Sequence, residues 1–390
     1  MGSKSSEKTI WELAIEERNN DQEELAKQAL SGNQDVSSPH GDESSVFVIG
    51  SKNAGKTSVI LRFLDRDEAP KSTTALDYTF GRKAKGHNIA KDVGHIWELG
   101  GGTFLSKLID IPISQQSIRT LSVAIVLDLS LPNELWVTME TLLSQVKSRV
   151  NKVLEELARK NPGVVNEMKK NAWKKFGDDH PDKSLVEPFP IPLAIIGGKY
   201  DIYQDFDPEK RKMISRTLRF IAHSHGAHLQ VDCVCVCDEN SMSLTFFSTK
   251  SESLTGRVRG LMGHLLFHTS LSKSVSVDHN KPIIVPAGLD TLSQIGAPPV
   301  ASEDLSRLQS RSPYDLWKAA YATFFPPEKY VQRNTGEDPS KDPQFYEPAV
   351  DSMRKQKDEC LHLPIRLIFL LHPSPVSVLP SDGGNNCYRL

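Results

Sequence analysis

The alternation of apolar and polar stretches along the chain predicts strands and helices in turn from residue 46 onward. The apolar run Val46–Ile49 leads into a glycine-bounded loop, and the residues from Ser58 onward have helical spacing. Two further runs, Leu121–Leu127 and Ile191–Ile196, are almost wholly apolar, which is typical of buried parallel strands. Strands that alternate with helices in this way predict an α/β fold with a mostly parallel central sheet and helices on both faces.

Three helical patterns belong to this predicted domain. Apolar side chains recur on one helical face from Leu135 to about residue 160, and Asn161-Pro-Gly predicts the end of that helix. Residues 161–188 are polar and interrupted by prolines, so we expect a surface excursion there. Pro208–His225 and Ser253–His268 predict the two remaining helices.

Further elements are predicted near both ends of the chain. Residues 8–30 predict an amphipathic helix that packs on the domain or on a partner. Lys281–Val285 predicts a short edge strand, and Ser312–Phe325 predicts a capped helix with an aromatic-rich face. The sequence leaves open whether this last helix packs on its own domain or docks on a partner.

These patterns divide the chain into four predicted parts. They are an N-terminal helix and polar linker (1–45), a P-loop domain (46–270), an extension with an edge strand and a helix (271–358), and an atypical tail expected to be disordered (359–390).

The loop after the first strand has the sequence of a phosphate-binding P-loop. Gly50 and Gly55-Lys56-Thr57 match the G-x-x-x-x-G-K-[ST] pattern, between a strand and a helix as that loop requires. Its backbone N–H groups and the positive end of the helix would hold phosphate oxygens. Lys56 would reach the β- and γ-phosphates, and the Thr57 hydroxyl would bind Mg²⁺.

Two later segments are expected to complete the magnesium and γ-phosphate contacts. Thr73 and Thr74 lie in the loop after the P-loop helix, where nucleotide switch proteins place a Thr on Mg²⁺. Glu98 and Gly101 occupy the acidic and glycine positions of an Asp-x-x-Gly turn. Gly102 stands where a water-orienting Gln would be, so we expect hydrolysis to be slow or absent.

A base-binding region is predicted after the apolar run that ends at Ile196. Lys199 and Asp201 match the Lys and Asp of the guanine-reading [NT]-K-x-D pattern, although Gly198 replaces its Asn. Ser248-Thr-Lys250 resembles the S-A-K turn that contacts the guanine carbonyl oxygen. The predicted nucleotide contacts are therefore Gly50, Ser51, Lys52, Asn53, Ala54, Gly55, Lys56, Thr57, Ser58, Thr74, Gly101, Lys199, Asp201, Ser248, Thr249 and Lys250.

The expected ligand is GDP or GTP with Mg²⁺, which Thr57, Thr74 and Glu98 would hold only when nucleotide is bound. A P-loop can also persist as a packing motif after its ligand is lost, and the sequence leaves this alternative open. An active GTPase switch is the competing interpretation, while a nucleotide kinase would need an Arg-rich lid that is not evident. We expect no catalytic residue.

Composition and charge argue against several other classes of function. A net charge of -2 without a basic stripe gives no reason to expect nucleic-acid binding, and no apolar run is long enough for a membrane span. The five cysteines, three of them alternating from Cys233 to Cys237, indicate reduced structural residues rather than disulfides or a metal site. His223, His225 and His228 are interpreted as histidines near a helix end.

The N-terminus contains no apolar segment of the kind a secretion signal requires. Gly2 and Ser6 fit the short myristoylation pattern, which leaves that modification open. The sequence therefore favours a soluble intracellular protein.

Longer strings give the chain a family resemblance. Gly50-Ser-Lys-Asn-Ala-Gly-Lys-Thr, Trp97-Glu-Leu-Gly-Gly-Gly, Gly288-Leu-Asp and Asp315-Leu-Trp-Lys resemble the dynein light intermediate chain family, most closely its dynein-2 branch. The resemblance implies a Ras-like P-loop fold and a non-catalytic or weakly catalytic motor subunit.

The expected partners are the dynein-2 heavy-chain tail and the other intermediate and light chains. The implied role is retrograde intraflagellar transport and cilium assembly, in the cytoplasm, cytoskeleton, cilium, basal body and centrosome. Two stretches depart from the family pattern: residues 228–242, which we interpret as an insertion, and the tail after residue 358.

Overall fold

The computed structural model describes residues 43–83, 92–231, 248–299, 312–327 and 347–357. Residues 331–390 form a unit separate from the rest of the chain. Within that unit, residues 348–357 are helical. The predicted N-terminal helix, the three-cysteine stretch and the tail from residue 359 lie outside the described residues.

A seven-stranded sheet forms the centre of the larger unit, in the order β2-β3-β1-β4-β5-β6-β7. The two edge strands, β2 and β7, run antiparallel to their neighbours, and all other pairs are parallel. The predicted α/β class with a mostly parallel sheet is therefore confirmed. The strands are β1 (Ser44–Gly50), β2 (Leu76–Lys83), β3 (Asp92–Leu99), β4 (Leu121–Asp128), β5 (Leu193–Gly198), β6 (His228–Val231) and β7 (Ile284–Val285).

Eight α-helices accompany the sheet in the described part of this unit, with one 3₁₀ helix at Ser106–Asp110. They are α1 (Lys56–Phe63), α2 (Pro132–Lys160), α3 (Pro162–Lys174), α4 (Tyr200–Tyr203), α5 (Pro208–Ser224), α6 (Ser248–Phe267), α7 (Leu292–Ile295) and α8 (Pro313–Phe324).

Alternation along β1 divides the core between the two faces of the sheet. Phe47 and Ile49 belong to one hydrophobic cluster, which α2, α5 and α8 cover. Val46 and Val48 belong to a second cluster, which α1 and α6 cover. Because successive side chains of a strand point to opposite faces, one apolar run supplies both layers. The helices on both faces are thus confirmed as well.

The expectation of a surface excursion over residues 161–188 is wrong for its first half. Pro162 begins α3, and Val165 and Ala172 of that helix are buried. Proline is favoured at the first position of a helix because the N–H it lacks would have no partner there. The Asn161-Pro-Gly sequence therefore ends α2 and also starts α3.

The segment after residue 270 adds to the sheet and to the core. The predicted edge strand is present as β7, which pairs with β6. Helix α8 packs on its own domain, since Trp317 stacks on Phe220 with ring centroids 5.3 Å apart. The Tyr321 hydroxyl donates to the Pro132 carbonyl oxygen at 2.8 Å.

Residues 228–231 of the predicted insertion form β6, so this part of the segment fills the sixth place in the sheet.

Candidate nucleotide-binding site

The phosphate loop follows β1 at the carboxyl end of the parallel strands. Gly50 has a φ of 153°, and a Cβ at this position would lie 1.9 Å from the Val126 carbonyl oxygen. The Ser51 N–H donates to that same oxygen at 3.0 Å. Only glycine allows β1 to turn this close to β4, which sets where the loop begins.

Lys56 is buried at the start of α1, with 6% of its surface exposed. Its ammonium donates to the Ser51 carbonyl oxygen at 2.8 Å and to the Gly50 carbonyl oxygen at 3.4 Å. Burial lowers the pKa of Lys56, and the nearby Glu98 carboxylate partly opposes that shift. The loop thus encloses a desolvated cation. A bound anion would stabilise its charge.

Thr57 and Glu98 meet on the same side of the loop. The Thr57 hydroxyl donates to Glu98 Oε1 at 2.8 Å, and Glu98 is 4% exposed. Burial raises the pKa of the Glu98 carboxyl, while hydrogen bonds from Thr57 and Thr73 and the charge of Lys56 oppose the shift. A hydroxyl and a carboxylate are hard oxygen donors, so the pair fits Mg²⁺.

The structure distinguishes the two threonines that precede β2. Thr73 hydrogen-bonds to Glu98, whereas Thr74 is exposed to solvent. The assignment of Thr74 as a magnesium ligand stays a prediction.

The turn after β3 packs its glycines against the phosphate loop and its neighbours. Gly101 and Gly102 have φ angles of 72° and 65°. A Cβ on Gly102 would lie 3.2 Å from the Lys52 backbone nitrogen. Gly102, which stands where a switch protein has its water-orienting Gln, therefore packs its backbone against the phosphate loop.

The predicted base-binding residues follow β5. Lys199 has a φ of 59°, and its ammonium forms an ion pair of 2.5 Å with Asp128, which is 2% exposed. Asp201 is half-buried in the first turn of α4. A Cβ on Gly198 would lie 2.6 Å from the Ala54 carbonyl oxygen, so the loop occupies the space that the missing Asn would need.

The remaining predicted contacts differ in their placement. Lys52 and Asn53 are exposed at the tip of the loop, whereas Ala54 and Ser58 are buried beneath it. Ser248–Lys250 form the first turn of α6 rather than a turn ahead of a helix that starts at Ser253. Their side chains lie outside the described part of the structure.

A second polar cluster joins residues that are far apart in the sequence. The Arg219 guanidinium makes two hydrogen bonds of 2.8 and 2.7 Å to the Asp290 carboxylate, and both residues are buried. Asp182 accepts from the Leu292 N–H at 2.7 Å and from His223 Nε2 at 2.9 Å. The cluster anchors the segment before α7 on α5.

Potential metal-ligand atoms of His180, Asp182 and His223 lie within 4.8 Å of one another. His180 Nε2 donates to the Asp290 carbonyl oxygen at 3.1 Å, while buried Nδ1 of His223 has no hydrogen-bond partner. A metal on His223 Nε2 would leave a buried Nδ1–H without an acceptor, whereas a neutral His223 donates from Nε2 to Asp182. We therefore interpret the cluster as a structural anchor.

The structure confirms that His223 and His225 lie at the end of α5, in its last turn and at its C-cap, whereas His228 is the first residue of β6. His223 is buried and belongs to the anchor, His225 is half-buried, and burial lowers the pKa of each. No short sequence motif could have found the cluster, because its members come from three separate segments.

None of the helices in the described ranges has the length and apolar character required to cross a bilayer.

Comparisons with known proteins identify the family. A family model described as dynein light intermediate chain matches residues 20–191. A Bos taurus protein named cytoplasmic dynein 2 light intermediate chain 1 is 50% identical over 90% of this chain and 93% of its own length. The chain belongs to the dynein light intermediate chain family. The Homo sapiens protein of the same name is 48% identical over the same shares of the two chains.

The fold agrees with this assignment. The crystal structure of the conserved domain of a dynein light intermediate chain matches 72% of this chain and 97% of its own, with a TM-score of 0.51 at 15% identity. The two structures therefore share this α/β architecture, and the expected Ras-like fold is confirmed.

Proposed function

We propose that the chain is a subunit of the cytoplasmic dynein-2 motor complex, in which it binds the heavy-chain tail. The observation that carries this proposal is its 50% and 48% identity, over 90% of its length, to proteins named for that complex. Identity at this level, spread across the whole folded domain, favours a shared docking surface as well as a shared fold.

The subunit would also associate with the other dynein-2 intermediate and light chains and support retrograde intraflagellar transport and cilium assembly. It would then act in the cytoplasm on the cytoskeleton, and in the cilium, basal body and centrosome.

The phosphate loop in this proposal holds GDP or GTP with Mg²⁺ as a structural ligand. Lys56 would contact the β- and γ-phosphates, Thr57 and Glu98 would hold the metal, and Lys199 with Asp201 would lie at the base. A ligand at about 100 times its Kd adds around 2.7 kcal/mol of stability without turnover. Gly102 supports weak or absent hydrolysis, since its φ of 65° and its contact with Lys52 disfavour a side chain there.

An active GTPase switch is the second candidate, and one observation favours it. Lys56, Thr57 and Glu98 converge as a phosphate and magnesium site would require. The two candidates differ in whether phosphate is released, which single-turnover hydrolysis measures.

The test of the first candidate is co-expression of the tagged full chain with the tail of the dynein-2 heavy chain. The dynein-1 heavy-chain tail, expressed in parallel, is the matched control. We expect the dynein-2 tail to be captured in a near-stoichiometric amount and the dynein-1 tail to be captured at least tenfold less. Equal capture of both tails, or of neither, would contradict the assignment to dynein-2.

A further inference from the structure

The sheet edge formed by β2 and β3 carries exposed aromatic side chains on one face. The antiparallel register places Tyr78 opposite Trp97 and Phe80 opposite His95. The ring centroids of Tyr78 and Trp97 are 4.9 Å apart. Tyr78 is 45% exposed and Phe80 is 43% exposed. We call these four residues the aromatic face.

The aromatic face continues the hydrophobic core to the surface. Leu76 lies opposite Leu99 on the same side of the sheet, and Leu99 is fully buried. Leu76 and Trp97 pack against the core cluster that α2 and α5 cover. Tyr78 packs against Trp97, and both Tyr78 and Phe80 remain exposed to solvent among the described residues. Such an extension of the core is typical of a surface that another element covers.

The N-terminal part of the chain joins the domain at this face. Ser44, the first residue of β1, lies opposite Gly94 of β3. The Glu43 carboxylate accepts a hydrogen bond of 3.0 Å from His95 Nε2, and His95 Nδ1 accepts one of 2.6 Å from the Tyr78 hydroxyl. The 42 residues before Glu43 are therefore tethered next to the aromatic rings.

We propose that the N-terminal segment, residues 8–30, docks on the aromatic face as an amphipathic helix. Ile10, Trp11, Leu13 and Ile15 supply its apolar side. The linker of residues 31–42 spans at most about 40 Å when extended. Because it ends at Glu43, beside the aromatic face, this length is enough for residues 8–30 to reach that face. The short tether gives the segment an effective local concentration in the millimolar range.

Charge complements the apolar contact. Residues 8–30 contain six acidic and three basic side chains. Arg82, on the same side of β2, places its guanidinium 5.3 Å from the centre of the Phe80 ring. Acidic side chains on the polar side of the segment would lie close to this cation.

The test is hydrogen exchange on the full chain, with mass-spectrometric readout of residues 8–30. In the unmodified chain we expect their amides to exchange at least tenfold more slowly than in an unstructured peptide. The double variant Tyr78→Ser with Phe80→Ser should return them to the unstructured rate. Phe104→Ser, which removes a 77% exposed aromatic ring beyond the other end of β3, is the matched control and should leave the rate unchanged.

A reciprocal measurement does not depend on altering the sheet. The variant Trp11→Ser with Leu13→Ser changes only the segment, and it should increase hydroxyl-radical labelling of Tyr78 and Phe80 at least threefold. Unstructured exchange of residues 8–30 in the unmodified chain, or protection that survives the double variant in β2, overturns the proposal. Protection that grows with protein concentration identifies a second copy as the occupant. Protection that arises only with added heavy-chain tail identifies that chain instead, and either outcome overturns the intramolecular contact.

Discussion

The Thr57 hydroxyl donates a 2.8 Å hydrogen bond to the Glu98 carboxylate, which joins the first turn of α1 to the end of β3. Mg²⁺ bound between these oxygens would replace the hydrogen bond by coordination. The variant Glu98→Gln keeps the size of the side chain and removes its charge. We expect it to accelerate Mg²⁺-dependent GDP release at least tenfold.

The control for this prediction is Glu155→Gln, which changes an exposed carboxylate on α2 in the same way. It should leave the release rate within twofold of the unmodified chain. A Glu98→Gln protein that releases GDP at the unmodified rate, with and without EDTA, would show that Glu98 has no part in holding the metal.

We expect the replacement of Lys56 to affect the ligand-free protein and the GDP-bound protein differently. Burial lowers the pKa of its ammonium, so Lys56→Met removes a desolvated charge and should leave the stability of the ligand-free chain unchanged or higher. GDP should raise the melting temperature of the unmodified chain, and the same variant should abolish that thermal shift.

Lys52→Met, in the exposed part of the same loop, is the matched control and should keep most of that shift. Differential scanning fluorimetry with and without GDP measures both effects. Equal GDP shifts in the Lys56→Met and unmodified proteins would rule out Lys56 as a phosphate ligand.

Gly102→Gln places the side chain of an active switch at its usual position in the sequence. We expect it to lose about 1–3 kcal/mol of stability, because φ is 65° and the new Cβ would crowd Lys52. It should not gain GTP turnover. Gly177→Gln is the control for strain alone, since Gly177 has a φ of 70° and nothing within 4 Å of its Cβ position. A faster GTPase in Gly102→Gln would mean that only the missing Gln limits hydrolysis.

The Arg219–Asp290 pair should contribute strongly to the attachment of the segment before α7. Both side chains are buried and share two hydrogen bonds, so Arg219→Met leaves an uncompensated carboxylate and should cost about 3–5 kcal/mol. Lys318→Met breaks the more exposed pair with Glu140 and should change stability by at most about 1 kcal/mol. Urea unfolding measures both values, and comparable losses would contradict the anchoring role of Asp290.

Two histidines with a lowered pKa make the stability of the fold depend on pH. Burial lowers the pKa of His225 to about 4 and that of His228 to about 3. Between these values and pH 6.5 the unfolded chain binds protons that the folded chain excludes, so the free energy of unfolding falls as pH falls. Each histidine contributes a slope of up to about 1.4 kcal/mol per pH unit.

The variant His228→Gln removes one of these titrating groups. Urea unfolding measures the free energy of unfolding at each pH between 7 and 5. In this variant that free energy should depend less steeply on pH, by up to the slope that one bound proton contributes. An unchanged slope in His228→Gln would show that His228 titrates normally in the folded protein.

The local sequence predicts the central sheet and the phosphate loop well, because short contiguous stretches of residues determine both. The apolar runs of β1, β4 and β5 and the Gly50–Thr57 motif need no distant information. Helix α3 was missed because Pro162 was interpreted only as a helix terminator. Proline serves equally as a helix start, and only the packing of Val165 and Ala172 distinguishes the two.

Long-range contacts account for the rest of what the sequence did not predict. The Asp290 carboxylate meets Arg219 across 71 residues, and His223 meets Asp182 across 41. Neither spacing forms a recognisable motif. Thr73 and Thr74 are adjacent in one polar loop, and only the folded position of Glu98 shows which of them reaches it.

The central claim is that this chain acts as a motor subunit whose nucleotide site does not turn over. Single-turnover hydrolysis of radiolabelled GTP, by the purified complex of the full chain with the dynein-2 heavy-chain tail, tests it most directly. The account predicts that a complex forms and releases phosphate no faster than the same complex carrying Lys56→Ala. Failure to form the complex, or phosphate release that collapses in Lys56→Ala, would contradict it.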